Sequence, residues 1–393
     1  MANPVIVSGA RTPIGKFNGG FTDFSAMQLG GFAIAEALRR ASLAGNEVDY
    51  VLMGQVLQAG QGQITARQAA VAGGIPMDVP AITINKVCLS GLNAVQLAAT
   101  LIRAGEIDIA IAGGMESMTN TPYAMPGARF GARMGDAKLV DLMVHDGLWC
   151  AFDRTHMGEG SDAVNTKLGI GRAEQDEWAA RSHERAADAT KAGRLADEIV
   201  KVEVPQRKGD PITVEEDEGV RPGTTAESLA NLRPAFSKDG TITAGNASQI
   251  SDGGCALVVM SAETAAKRGL EPLAEILAHG QVSGPDASLH LQPANAIKAA
   301  AAKAGLDPAG FDLYELNEAF ASVAIAATKA LGIAEDKVNV NGGAVALGHP
   351  IGMSGARLVL TTALELRRRG GGVGAAALCG GGGQGDALLL KVS

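Results

Sequence analysis

Large aromatic side chains are scarce. Phe, Trp and Tyr together make up 4% of the 393 residues. A core short of rings has to be built from Ala, Val, Ile and Leu on closely approaching backbones, and the 52 glycines permit that approach. With 46% hydrophobic residues, the composition excludes a disordered chain and points to a layered α/β protein. Cysteine is sparse as well. Cys88, Cys150, Cys255 and Cys379 lie far apart, with no C-x-x-C pair and no zinc-like spacing, which predicts reduced thiols. Positive charge is in deficit. The net charge of −8 argues against a nucleic-acid partner. Met1-Ala2-Asn3-Pro4 leads straight into a strand, without the basic and apolar regions of a signal peptide. No apolar run is expected to reach the roughly 18 residues of a membrane span. The expectation is a soluble cytoplasmic protein with no membrane partner.

The length suggests two or three domains at about 150 residues each. Val5–Ser8 reads as a strand, Phe24–Arg40 as an amphipathic helix, Val51–Leu57 as a strand and Ala66–Ala72 as a helix. Ala81–Ile84 reads as a strand and Leu92–Arg103 as a helix, with a strand over Glu106–Ala112 ending at Gly113-Gly114. This alternation predicts a mostly parallel sheet covered by helices. From about Thr119 to Asn246 the chain is richer in charge, Pro and Gly, and reads as a large insertion of the kind that carries binding loops. Its acidic run, Glu215-Glu216-Asp217-Glu218, reads as solvated surface. The resulting division is 1–118 plus 250–270, an inserted loop domain over 119–249, and 271–393. In the last part Val338–Asn341 and Val373–Leu378 read as strands, the latter running into a glycine-rich loop.

Two stretches repeat each other. A strand reaches Asn85, Ser90-Gly91 opens a helix, and a later strand runs into Gly113-Gly114. A strand reaches Asn341, Ser354-Gly355 opens a helix, and a later strand runs into Gly380-Gly381. From Gly91 to the helix-end Gly105 is 14 residues, and from Gly355 to Gly370 is 15. One repeat at half-chain spacing indicates two similar domains, not a solenoid. Their pseudo-twofold stacking would bring Cys88 on one loop opposite His349 and Cys379 on loops of the other copy.

Cys88 sits between a strand and a helix, where free N–H groups and the helix dipole favour a thiolate. The competing reading is a small buried core residue. His349, on the Gly-rich loop before Pro350, is a candidate base for that thiolate; a lone His before Pro is more often a satisfied structural residue. Cys379 begins a run whose successive N–H groups can hold an anion or oxyanion. A phosphate cradle is disfavoured because no Gly-Lys-Ser/Thr follows. Asn317 reads either as a helix cap or, with Glu318, as a polar group aimed into the cleft. Cys150 and Cys255 read as buried thiols.

In order along the whole chain, Val7-Ser8-Gly9-Ala10-Arg11-Thr12-Pro13, Asn85–Gly91, Asn317-Glu318-Ala319-Phe320, Gly342–Pro350 and Cys379–Gly385 resemble the motifs of the thiolase family. The resemblance implies a duplicated five-layer α/β/α/β/α fold with an inserted loop domain. It implies coenzyme A as substrate and product, no permanently bound cofactor and no metal. Cys88 would then carry the acyl group and His349 would activate it. Cys379 would handle the α-proton. One oxyanion site would use the N–H groups of Cys88 and Gly381, the other His349 with a water held by Asn317. Leu148, His156, Met157, Arg221, Ser228, Phe236, Ala244 and Ser248 match coenzyme A contacts, with Leu289, Ala319 and Phe320 beside the acyl end. The activity implied is acetyl-CoA C-acetyltransferase, interconverting two acetyl-CoA with acetoacetyl-CoA and CoA. The alternatives are a 3-ketoacyl-CoA thiolase of β-oxidation taking longer chains, and a thiolase-like CoA- or lipid-binding protein without turnover. The Phe130–Asp136 insert is similar to the family's tetramerisation loop and implies a homotetramer. Leu89, the 158–162 stretch and the 288–293 stretch depart from the family pattern, and each is expected to bear on acyl chain length.

Overall fold

The computed structural model describes residues 2–393. The first half runs through β1 (Pro4–Arg11), α1 (Ala26–Arg40), β2 (Tyr50–Gly54), α2 (Thr65–Ala72), β3 (Ala81–Ile84), α3 (Ser90–Ala104) and β4 (Ile109–Ser117). A long segment carrying α4 (Met157–Leu168) and α5 (Arg172–Lys191) intervenes, and β5 (Ser251–Ser261) then returns to the same sheet. The second half repeats the plan with β6 (Ala274–Ser283), α6 (Gln292–Ala304), β7 (Leu313–Leu316), α7 (Ala321–Leu331), α8 (Ser354–Arg368), β8 (Gly372–Gly380) and β9 (Gln384–Val392).

The strands pair in the order β7-β8-β9-β6-β1-β5-β4-β2-β3. The two half-sheets join where β1 meets β6, at Val5↔Glu275 and Ile6↔Ala274. β1, β5, β6 and β9 run antiparallel to their neighbours in the middle of the sheet, while β4–β2, β2–β3 and β7–β8 pair in parallel toward its edges. The sheet is therefore mixed, where βαβ alternation alone predicts parallel strands. Alternation along each strand splits its side chains between two layers. On the first half, Val51, Met53 and Ile111 pack under α1 and α2 with Ile34, Ala37 and Ala69. Leu52, Ala110 and Ala112 face the other way, onto α3 and α8. On the second half, Leu313, Ala376 and Leu378 face those same two helices, while Tyr314, Ala375 and Ala377 pack against α6 and α7. Five layers result, with α3 and α8 as the shared central one.

The repeated Ser-Gly pairs now have a cause. A Cβ on Gly91 would lie 2.8 Å from the Gly352 carbonyl oxygen, and one on Gly355 would lie 2.4 Å from the Leu92 nitrogen. Backbone packs on backbone where α3 and α8 begin, and that contact sets the two active loops side by side. Gly113-Gly114 does not stop β4, which continues to Ser117. These glycines mark close approach: a Cβ on Gly113 would sit 2.1 Å from the Cys255 carbonyl oxygen.

Several expectations are corrected. Val338–Asn341 is not a strand. Only Val338 bridges to Tyr314, because the Asn339 side chain takes both ladder bonds of Leu316, accepting from its N–H and donating to its carbonyl at 2.8 Å each. The acidic run is not wholly solvated. Asp217 is buried and pairs bidentately with the buried Arg11 at 2.6 and 2.9 Å, tying the end of β1 to the intervening segment. One stretch, Val87–Ala104, does reach 18 residues with a mean hydropathy of 1.4. It is the central helix α3 with its entry turn, apolar because sheets and α8 cover it. The intervening segment also holds three two-stranded ribbons and exposes Phe130, Met134 and Leu139 on an arm between Tyr123–Ala124 and Val140–Asp141.

Candidate active site

The turn after β3 is built to hold an unfavourable backbone. Val87 is β-branched yet has φ 51°, a conformation costing about 1–3 kcal/mol. Its N–H donates to Asn85 Oδ1 at 3.1 Å. Ser90 Oγ accepts from Lys86 N–H at 2.8 Å and donates to the Val87 carbonyl at 2.6 Å. This frame presents Cys88, half-buried, just ahead of α3. Its own N–H and the N–H of Gly381, a residue of the other half, lie near the sulfur and favour its charged form. The expected ready-made thiolate is nevertheless not formed. Burial pushes the Cys88 thiol up to about 12, outweighing both N–H groups, and the carboxylate of Glu116 adds to the rise. The sulfur has to lose its proton to a base as it attacks.

His349 is placed to be that base. Its N–H donates to the Gln249 carbonyl and to Ser251 Oγ, each at 3.2 Å. Ser354 Oγ donates to the Pro350 carbonyl at 2.9 Å and so receives the proton of His349 Nδ1 at 2.6 Å. Asn317 Nδ2, a donor, faces Nε2 at 3.3 Å. This network assigns the proton to Nδ1 and leaves Nε2 basic. Burial lowers the imidazole to about 3, and the charge of Arg357 pushes the same way, so His349 is neutral.

Cys379 lies in β8, not on a loop, and is 1% exposed. Burial raises its thiol, and proximity to Cys88 raises it further. The glycine run is not a cradle of successive N–H groups. Gly380 pairs with Gln384 in the β8–β9 hairpin, and Gly381 lies near the Cys88 sulfur. Asn317 is no helix cap, since α7 begins at Ala321 after Phe320. It is fully buried behind His349, and its Oδ1 has no protein partner. Glu318 turns away from the cleft. It accepts from Trp178 Nε1, Ser182 Oγ, Asn339 Nδ2 and Val345 N–H, and so fastens α5 to the second half.

Cys88, His349, Cys379 and Gly381 stand at a pocket of about 540 Å³. Leu148, His156, Met157, Arg221, Phe236, Ala244, Ser248, Leu289, Ala319 and Phe320 also line it. The His156 ring stacks on Phe236 at 4.6 Å, and Phe236 meets Phe320 edge-on at 6.1 Å. Ser228 does not line the pocket. Its hydroxyl accepts from the Thr225 N–H and donates to the Thr225 carbonyl, closing the cap of a short helix at Ala226–Ala230. Leu89 is also outside the pocket. It is fully buried in the central layer against Gly380, where a Cβ would come within 2.6 Å of it. Its burial is worth about 1.5–3 kcal/mol. In the 158–162 stretch, the Asp162 carboxylate accepts from the Thr241 and Ile242 N–H groups at 2.8 and 3.0 Å, shaping the loop that carries Ala244.

Sequence reasoning missed Lys16, which joins Arg221 as a cation in the lining, and Glu116. The buried Glu116 carboxylate accepts from Val56, Leu57 and Gly352 N–H groups and so joins loops of the two halves beneath Cys88; burial raises it to about 7. No spacing in the sequence marks it. No cluster of three or more metal-ligating side chains occurs among the described residues.

Two thiols and a neutral imidazole thus line one pocket. The model of the thiolase N-terminal domain matches residues 4–263, and that of the thiolase C-terminal domain matches residues 270–392. The chain belongs to the thiolase family. A probable acetyl-CoA acetyltransferase of Mycolicibacterium smegmatis is 58% identical over 387 residues, covering 98% of this chain and all of that protein. A probable acetyl-CoA acetyltransferase of Mycobacterium tuberculosis is 56% identical across all of both chains. The acetyl-CoA acetyltransferase of Cupriavidus necator is 49% identical, again across all of both. Thiolase family members thus match this chain from end to end, including the intervening segment.

Proposed function

We propose that this thiolase is an acetyl-CoA C-acetyltransferase, running reversible thiolysis and Claisen condensation of acetoacetyl-CoA through an acyl-enzyme on Cys88. The observation that carries the reading is the meeting of the Cys88 sulfur, the Gly381 N–H and neutral His349 with Cys379 in one pocket. In thiolysis, the Cys88 sulfur attacks the 3-keto carbon and its proton passes to His349 Nε2. The carbonyl oxygen becomes an oxyanion facing the N–H groups of Cys88 and Gly381. Its collapse breaks the C2–C3 bond, the electron pair leaves as acetyl-CoA enolate, and Cys379 protonates that carbon. CoA then takes the acetyl group from Cys88 sulfur, its thiol proton restoring the Cys379 thiol. Condensation reverses each step. Asn317, with an unpartnered Oδ1 behind His349, holds a water that completes the second oxyanion site.

Coenzyme A would enter with its pantetheine arm along Leu148, Met157, Phe236, Ala244 and Ser248. Its phosphates would lie toward Lys16 and Arg221, both exposed. No bound cofactor or metal is needed for these steps. Four free thiols suit a cytoplasmic location.

Short acyl groups are favoured by the wall at the acyl end, where Leu289, Phe320, Val323 and Cys379 form one buried cluster with Met157 against it. A second cavity, of about 380 Å³, shares His156, Met157 and Leu289 with the main pocket. Leu289→Ala is therefore expected to open extra room. In a thiolysis series from acetoacetyl-CoA to 3-ketohexanoyl-CoA, the kcat/KM ratio of longer to shorter substrate should rise by about tenfold. An unchanged ratio removes Leu289 as the length gauge. A wild-type preference for the longer substrates would instead favour the 3-ketoacyl-CoA thiolase reading.

A homotetramer is proposed from the arm that exposes Phe130, Met134 and Leu139, since monomers rarely carry so many apolar side chains on a protruding loop. Light scattering should give four times the chain mass. A monomer would count against it.

A further inference from the structure

Cys88 and Gly381 come from different halves of the chain, and something has to hold one against the other. Lys86, two residues before Cys88, reaches across that boundary. Its Nζ lies 2.7 and 3.0 Å from the two carboxylate oxygens of Asp386. Asp386 sits on β9 opposite Leu378, while its neighbour Gly385 pairs with Cys379 itself. The carboxylate is fully buried, whereas Lys86 is 22% exposed at its side chain. Asn93, one turn into α3, adds a donor from the Cys88 half at 3.4 Å. Gln281, paired with Asp386 on β6, supports it from the second half. Beside this ion pair, Val87 lies over Gly381 and Leu89 over Gly380 in apolar contact. Apolar contacts of that kind tolerate sliding, while a charged two-point contact to a buried carboxylate fixes direction and distance.

We propose that Lys86 and Asp386 are a positioning pair that clamps the Cys88 turn to the Cys379–Gly381 hairpin, holding the Gly381 N–H in line with the acyl oxyanion formed at Cys88. Neither residue touches substrate, and neither lines the pocket. Their effect is on the distance between two groups supplied by separate halves. The proposal rests on Cys88 being the acyl carrier and Gly381 an oxyanion donor.

The test compares Lys86→Met, Lys86→Arg and Asp386→Asn with wild type and Cys88→Ala in acetoacetyl-CoA thiolysis. A displaced oxyanion donor should lower kcat of Lys86→Met by about 10- to 100-fold. The KM for CoA should stay within about twofold, because the residues along the pantetheine arm are untouched. Lys86→Arg restores a cation that can bridge both carboxylate oxygens and should regain most of kcat. Lys86 is partly exposed, so its variants keep the proposal testable even where Asp386→Asn fails to fold. A folded Lys86→Met with kcat within about threefold of wild type overturns the clamp, as does a loss that Arg does not recover or one that appears in KM alone. Full turnover by Cys88→Ala would instead overturn the acyl-carrier reading. An inactive Cys88→Ala beside a fully active Lys86→Met overturns the clamp and leaves that reading standing.

Discussion

Cys88→Ala is expected to abolish acyl transfer, lowering kcat by on the order of 10⁴- to 10⁶-fold, because the covalent route is lost entirely. Incubation with acetyl-CoA should add the mass of one acetyl group to the wild type and none to the variant. Wild-type turnover by the variant would leave a binding protein or an unrelated mechanism as the better account. The wild-type sulfur should also show an unusual pH response. Its thiol is held at about 12 by burial, so the charged form is disfavoured in the folded protein. Alkylation of Cys88 in the free protein should therefore keep rising, by about tenfold per pH unit, between pH 7 and pH 9. A plateau near the ordinary cysteine range would mean that the two N–H groups outweigh burial. Under the proposed mechanism the same thiol would react at neutral pH because His349 Nε2 takes its proton in step with attack. That transfer is possible since burial keeps the imidazole neutral far below pH 7.

Cys379→Ser is expected to separate the two halves of the reaction. A serine hydroxyl fills nearly the same space but yields its proton far less readily. Acetylation of Cys88 by acetyl-CoA should persist, so the acetyl adduct should still be seen by mass. Formation and cleavage of the C2–C3 bond should fall by about 10²- to 10⁴-fold, the usual worth of a positioned acid or base. Normal thiolysis by this variant would remove Cys379 from proton transfer. Loss of the adduct as well would mean that Cys379 supports Cys88 structurally through the shared hairpin. The two sulfurs are near enough that charge on Cys88 raises Cys379. That coupling suits a pair in which one sulfur is occupied as a thioester while the other moves a proton.

Much of the architecture was legible before any coordinates. Helices over Phe24–Arg40 and Ala66–Ala72 follow from hydrophobic spacing and end signals, and the structure has them at Ala26–Arg40 and Thr65–Ala72. The internal repeat foretold two equivalent halves, and the paired Ser-Gly steps proved to be where their central helices touch. Errors fell where a side chain far along the chain replaced a local pattern. Asn339 took over the bonds of a strand, and Arg11 drew Asp217 out of solvent across 206 residues.

The site divides in the same way. The order of residues alone determined that Cys88 stands between a strand and a helix, that His349 precedes a proline, and that Cys379 opens a glycine run. Those are local matters, decided by neighbours within a few residues. Only the tertiary structure decided that burial raises the Cys88 thiol, that Ser354 and Asn317 leave Nε2 of His349 basic, and that Gly381 comes up beside Cys88. Each depends on burial or on a contact between distant segments, such as Lys86 with Asp386 across 300 residues. A charge's free energy is set by what surrounds it in space, and one-dimensional spacing carries no record of that surrounding.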